Sequence, residues 1–506
     1  MASTLSTHPH PIPRRSRNGV RARKLFPQYR CQPCQPAGLR RTLAVLAFAA
    51  LPLLASPAFA QQQRTPTAYE RSIAAGYKAL TLCSAMFNGG RTQAQVEGLE
   101  LTGIYTDYQP LIPMLAASIS RYTTRPKTGA PQLWGASVSV RFDQNLPPRR
   151  ADWRHDRGCT ILPPGSTAPS PAASLPSAPF TPFAGSLDDR PWPMGQAGLV
   201  PRVIPVLEGP VAKALSGGYQ GRTTSVIVVQ DGQIVAERYA AGFGPHSTQR
   251  TWSVAKSIAG TVTGIGVRQG LVRTAQPAGL WRGDTRATIT LDNLLRMASG
   301  LHTAYAGNRT DALYFGGTTV DEEVAYWPIE AAPGTRFRYS NVDIVAASRV
   351  LRGAIRNDAR YAAFPRTELF AKLGMTRTVA ELDAGGNLVL SSQIWSSARD
   401  FARLGMFWLN DGVWQGQRIL PVGWMKYMTT PSGPQPATGA GYGATLWLFG
   451  PAQGLPAGTF AAQGNRGQVI FVVPSRKIVV VRRGEDGVGS AFDAPKFVAD
   501  VLKALP

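Results

Sequence analysis

Apolar positions recur in two registers along this chain, and each register marks a different kind of element. Residues 69–87 carry Ile73, Tyr77, Leu80 and Ala85 at near-helical spacing, which predicts a helix. Residues 134–142 alternate through Ala136, Val138, Val140 and Phe142, which predicts a strand. Further on, the run Val226-Ile-Val-Val229 and the run 233–239 flank Asp231-Gly232, a strong hairpin signal. A long helical middle follows. Strand patterns return at 442–449, 468–473 and 477–483, and a helix pattern closes the chain at 494–505. Strands at both ends with helices between them predict an α+β fold: an antiparallel sheet flanked by helices, with a helical subdomain inserted. No internal repeat is visible.

Composition divides the 506 residues further. Residues 1–60 hold nine Lys or Arg and no Asp or Glu. Within them, Arg40-Arg41, a short apolar run broken by Pro52, and Ala58-Phe59-Ala60 have the parts of a cleaved secretory signal over about residues 40–60. The run is shorter than the ~20 residues a spanning helix needs. Residues 61–160 form an N-terminal accessory unit. Residues 161–184 form a linker, with seven prolines between positions 163 and 182, a composition that favours an extended connection. Residues 185–506 form the main domain.

The formal net charge is +24, and removing the nine leader charges leaves +15. The remaining basic residues are scattered and read as a solvated surface, with weak association to anionic envelope surfaces as the alternative. No nucleic-acid partner is expected, and the oligomeric state is open. Of four cysteines, Cys31 and Cys34 lie in the leader, which leaves Cys83 and Cys159. An even count in an exported chain predicts a Cys83–Cys159 disulfide. Cleavage of the leader implies a periplasmic or secreted protein.

The chemistry begins at Arg250-Thr-Trp-Ser253-Val-Ala-Lys256, which reads as a helix start. A serine there meets unpaired N–H groups and the positive dipole end, and a lysine three residues on returns to the same face. A serine hydroxyl needs a neighbouring base, and lysine serves if burial and nearby positive charge keep it partly neutral. Alone, Ser-x-x-Lys is a weak signal that fits a helix N-cap serine with a surface lysine better than a catalytic pair. Only five histidines occur, two of them in the leader, and Gly-x-Ser-x-Gly is absent, which disfavours a histidine-based hydrolase. No P-loop, dinucleotide fingerprint or metal-ligand spacing is present, so no cofactor and no metal is expected.

The second element, Pro333-Gly-Thr-Arg-Phe-Arg-Tyr339-Ser340-Asn341, precedes a predicted helix at 342–354. With Ser253 and Lys256 it resembles the β-lactamase and penicillin-binding-protein-like serine hydrolases over roughly residues 190–506. That group includes class C β-lactamases, low-molecular-weight carboxypeptidases, esterases and 6-aminohexanoate-dimer hydrolases. Ile289 to Leu301, and the run from Arg399-Asp400 through Trp414, Arg418 and Trp424, look most similar to the 6-aminohexanoate-dimer hydrolase branch. The resemblance implies a β-lactamase/transpeptidase-like fold. It implies Ser253 as nucleophile, Lys256 and Tyr339 as proton-transfer groups, and Asn341 orienting the leaving group. The family carries a Lys-Thr-Gly or His-x-Gly triplet on the strand lining the site, and here Asn465-Arg466-Gly467 is expected in its place. Gly467 would let substrate approach, and the Gln468 N–H would share the oxyanion hole with that of Ser253. Arg466 is expected to point away along a regular strand.

The expected function is therefore exported serine hydrolysis of a small amide or ester through an acyl-enzyme. The alternatives are a β-lactamase or D-Ala carboxypeptidase, and a non-catalytic envelope binding protein on the same fold.

Overall fold

A computed structural model describes residues 65–123, 133–166, 187–303 and 310–506. The expected leader, with Cys31 and Cys34, and most of the expected linker lie outside the described residues. Among the described residues no helix is long and apolar enough to cross a membrane.

The first helix spans Ala68–Phe87. Thr67 starts it with a capping box, its side chain accepting from the Glu70 N–H while the Glu70 carboxylate accepts from the Thr67 N–H. The stripe holding Ile73, Tyr77 and Leu80 is buried. It packs on an antiparallel sheet of four strands in the order β1 (Ala117–Thr123), β2 (Leu133–Val140), β3 (Arg149–Arg154), β4 (Gly158–Ile161). A disulfide joins Cys83 of the helix to Cys159 of β4. The side chains of this unit do not form a core of their own. Ile73, Val138 and Ile161 belong to one continuous apolar cluster with Ile258, Phe315 and Leu388 of the later chain. Glu381 adds a buried polar tie, accepting from Ser84 Oγ at 2.6 Å, Asn88 Nδ2 at 2.8 Å and the Cys159 N–H at 3.0 Å.

The later part is built on seven antiparallel strands. β5 (Thr223–Gln230) and β6 (Gln233–Tyr239) form the expected hairpin, and Asp231 and Gly232 both have positive φ, 47° and 81°. A three-stranded sheet of β7 (Thr248–Arg250), β8 (Val379–Ala380) and β9 (Ile394–Ser397), and a short ribbon of β10 (Val413–Trp414) and β11 (Gln417–Arg418), lie within the helical middle. The chain then returns as β12 (Gly441–Tyr442), β13 (Trp447–Phe449), β14 (Thr459–Gly464), β15 (Gln468–Val473) and β16 (Ile478–Gly484). The spatial order is β12-β13-β14-β15-β16-β5-β6, so the last strand pairs with the first and everything between is inserted.

Both faces of this sheet are covered, and the alternation of side chains shows how. Val226, Val228, Phe471 and Val480 face a layer made with Val211 of the helix Glu208–Leu215 and Phe497 of the helix Ala494–Ala504. Ile227, Val229, Ile470 and Val479 face the opposite way, into the large core with Phe401 of the helix Ala398–Leu409. Burying each such side chain contributes roughly 1.5–3 kcal/mol.

One predicted element differs. The run 442–449 is not a single strand but the hairpin β12–β13. The chain reverses because Thr445 takes a left-handed φ of 66°. Its backbone is held there by the Leu295 carbonyl, which accepts from its N–H at 3.0 Å, and by Ser257 Oγ, which donates to its carbonyl at 2.5 Å.

Candidate active site

Ser253 is the N-cap residue of the helix Val254–Arg268. Trp252 before it adopts a φ of 50°, a left-handed turn that swings the chain from β7 into the helix. The turn is fixed by Arg250, whose guanidinium stacks 3.9 Å from the centroid of the Trp252 ring and donates to Ser392 Oγ at 2.9 Å. One helical turn on, Lys256 is buried, and its Nζ reaches three acceptors: Ser253 Oγ at 2.9 Å, Asn341 Oδ1 at 2.6 Å and the Ser391 carbonyl at 2.9 Å. Burial, reinforced by the charge of Arg250, lowers the Lys256 pKa from 10.5 to about 7. A neutral amine has two N–H bonds and one lone pair. Asn341 and Ser391 can take the two hydrogens, which leaves the lone pair for the Ser253 hydroxyl.

Tyr339 lies half-buried beside this pair, its ring centroid 5.0 Å from Lys256 Nζ and packed against Trp447 at 5.3 Å and Tyr442 at 6.1 Å. Burial pushes its phenol well above the ordinary range, while a hydrogen bond with Ser253 pulls the other way. Asn341 opens the helix Asn341–Ile355. The structure gives its amide a different task from the expected one at a leaving group. Oδ1 accepts from Lys256, and Nδ2 donates to Thr310 Oγ1 at 3.1 Å, so it orients the lysine.

The third element sits elsewhere than its expected triplet. Asn465–Gly467 is not strand but the turn between β14 and β15, with Arg466 left-handed at φ 56°. The strand end that lines the site is Gln463-Gly464 of β14. A Cβ on Gly464 would lie 3.0 Å from the Ser253 nitrogen and 2.5 Å from the Thr251 carbonyl oxygen, so the two backbones meet closely here. Asn465 is exposed and lines the cavity. Gly467 and Gln468 do not. A Cβ on Gly467 would collide with the Arg482 guanidinium, and the Gln468 side chain is buried against Gly484 and Arg483. The turn is the physical reason: it carries the chain away from Ser253 directly after Asn465. Arg466 does point away from the site, through that turn rather than along a strand, and pairs with Glu485 at 2.6 Å.

These groups open on a cavity of about 440 Å³ whose walls include Trp252, Tyr314, Trp447 and Asp311, and also Tyr105 from the N-terminal unit. Among the described lining residues none is Lys or Arg. Arg250, the Ser391 carbonyl, Thr310, Gly464 and Tyr105 thus join the residues that the motifs pointed to. Gly464 adjoins the expected triplet in sequence, whereas Tyr105 lies in no motif.

Residues 211–501 match the protein family described as Beta-lactamase. The chain is 25% identical over 294 residues to the 6-aminohexanoate-dimer hydrolase of Paenarthrobacter ureafaciens, covering 51% of this chain and 72% of that one. Among solved structures it is similar to a Bacillus anthracis protein described as a 6-aminohexanoate-dimer hydrolase, with a TM-score of 0.50 and 20% identity over 58% of this chain and 83% of the other. A family VIII carboxylesterase aligns with a TM-score of 0.49 and 15% identity over 60% of this chain and 98% of its own.

Proposed function

The chain belongs to the beta-lactamase family and is a hydrolase of that fold, and from this premise we propose that it cleaves a small ester or amide through an acyl-enzyme on Ser253. The observation that carries the proposal is the 2.9 Å contact of Ser253 Oγ with a lysine whose pKa is lowered to about 7. Near neutrality about half of such lysines are free amines, able to take the hydroxyl proton as Ser253 attacks. The oxyanion then rests on the Ser253 N–H and, in place of the expected Gln468, on the N–H of Asn465 beside the close-packed Gly464. Tyr339, a phenol at rest, hands its proton to the leaving group and takes back the one that Lys256 received from Ser253. Water attacks the acyl-enzyme by the reverse route.

The cavity walls favour esters and linear amides over β-lactams. A β-lactam antibiotic carries a carboxylate, and the described walls offer it Asn465 and no cation. Losing one charge-assisted contact costs roughly 1.5–3 kcal/mol, or about ten- to a hundredfold in binding. The relation to 6-aminohexanoate-dimer hydrolases supports the same substrate class. We further propose export to the periplasm or beyond, on the leader composition of residues 40–60 and the Cys83–Cys159 disulfide.

The test combines labelling and turnover. A fluorophosphonate probe should modify Ser253, as located by peptide mapping, and Ser253→Ala should abolish both labelling and hydrolysis. The wild-type kcat/KM for p-nitrophenyl butyrate should exceed that for nitrocefin. Activity retained in a clean Ser253→Ala preparation removes the nucleophile, and a strong nitrocefin preference removes the substrate class alone.

A further inference from the structure

The cavity beside Ser253 has one wall that the family match does not supply. Tyr105 belongs to the segment 99–111, well before residue 211 where that match begins. We propose that Tyr105 is a specificity-determining residue of the Ser253 site, a fixed aromatic stop that limits the length of the acyl group the cavity accepts. The inference rests on the reading of Ser253 as nucleophile.

Three observations make this wall rigid. Arg466, in the turn next to Asn465, donates to the carbonyls of Leu99 at 3.1 Å, Thr102 at 3.0 Å and Gly103 at 3.2 Å. The Val488 N–H donates to the Gly103 carbonyl at 2.9 Å, and Gly103 lies so near Gly487 that a Cβ would stand 2.8 Å from its α-carbon. Tyr108 OH donates to Asp311 Oδ2 at 2.5 Å, so the segment is tied to a second residue of the same cavity. Tyr105 is thereby gripped from both sides, and its ring packs edge-on against Tyr77 and Tyr108 with centroids 6.2 and 5.7 Å away.

A wall anchored in this way acts by exclusion. A chain that grows past the ring must displace a phenol braced by two aromatic neighbours, and a packed interior resists such displacement. The site then discriminates by length: short acyl groups reach Ser253, and longer ones meet Tyr105 before their carbonyl reaches the nucleophile. A buried guanidinium holding three carbonyls of another segment is more than is needed to close a surface loop, but it suits a residue that must keep its place during turnover.

The experiment measures kcat/KM for p-nitrophenyl butyrate and p-nitrophenyl decanoate on the full chain, with the fluorophosphonate label on Ser253 checked in every preparation. Tyr105→Ala should shift the ratio toward decanoate by at least ~10-fold, the scale on which a hydrophobic pocket discriminates. Tyr105→Trp should shift it the opposite way, and it decides the question if the alanine variant does not fold. Ratios unchanged in both directions, with Ser253 labelled normally, overturn the role of Tyr105 alone. Failure to label Ser253 in the wild type overturns the nucleophile and this inference together.

Discussion

Gly464 and Ser253 touch backbone to backbone: a Cβ on the glycine would lie 3.0 Å from the serine nitrogen. The contact places the end of β14 against the start of the Ser253 helix, so the two amides proposed to face the oxyanion are set by one packing constraint. Gly464→Ala must push these backbones apart. It should lower kcat/KM by at least ~100-fold, the usual scale for losing an oxyanion donor. Circular dichroism should show the fold retained, and activity near wild type would mean that the contact is not part of the site.

Under the proposed mechanism, Lys256 sets the pH dependence. Its pKa is lowered to about 7 by burial and by Arg250, and in the proposed mechanism the free amine is the active form. The kcat/KM should therefore rise with unit slope below about pH 7 and level off above it. Lys256→Ala should lose at least ~100-fold. A profile flat from pH 5 to 9 in the wild type would exclude this lysine as the base.

Glu381 predicts a stability effect of the opposite sense from an ordinary carboxylate. Burial raises its pKa from 4.5 to about 7. The folded protein then binds more protons at this site than the unfolded chain, so the stability it contributes is fully present below about 4.5 and is lost as pH rises through about 7. Glu381→Gln keeps an acceptor for Ser84, Asn88 and the Cys159 N–H but cannot ionise. Chemical denaturation at pH 5 and pH 8 should show the variant gaining on the wild type by on the order of 1–3 kcal/mol across that interval. Parallel pH dependences would rule the effect out.

The parts of the site that were legible in the sequence are those in which chemistry and local geometry coincide. Ser253 and Lys256 share one helical turn, and Tyr339 and Asn341 sit two residues apart where a loop enters a helix, so their spacing alone brings each pair together. Gly467 and Gln468 were misplaced because the deciding event is a single left-handed residue, Arg466, and an arginine gives no advance signal of positive φ. The run 442–449 failed as a strand for the same reason at Thr445. The hairpin at Asp231-Gly232 was legible because its residues are the ones such turns demand. Tyr105 and Glu381 lay beyond the reach of pattern reading, since each acquires its role from segments far away in the chain.

The grip of Arg466 on Leu99, Thr102 and Gly103 bears on what counts as a module in this protein. The family pattern begins at residue 211, yet the side chain beside Asn465 is satisfied by carbonyls that lie before it, and one apolar core runs through both parts. The stretch that the family pattern covers and the apolar core thus have different borders. A change at residue 466 therefore acts on two places at once: the turn beside Asn465 and the stretch 99–103, which lies outside the residues the family pattern covers.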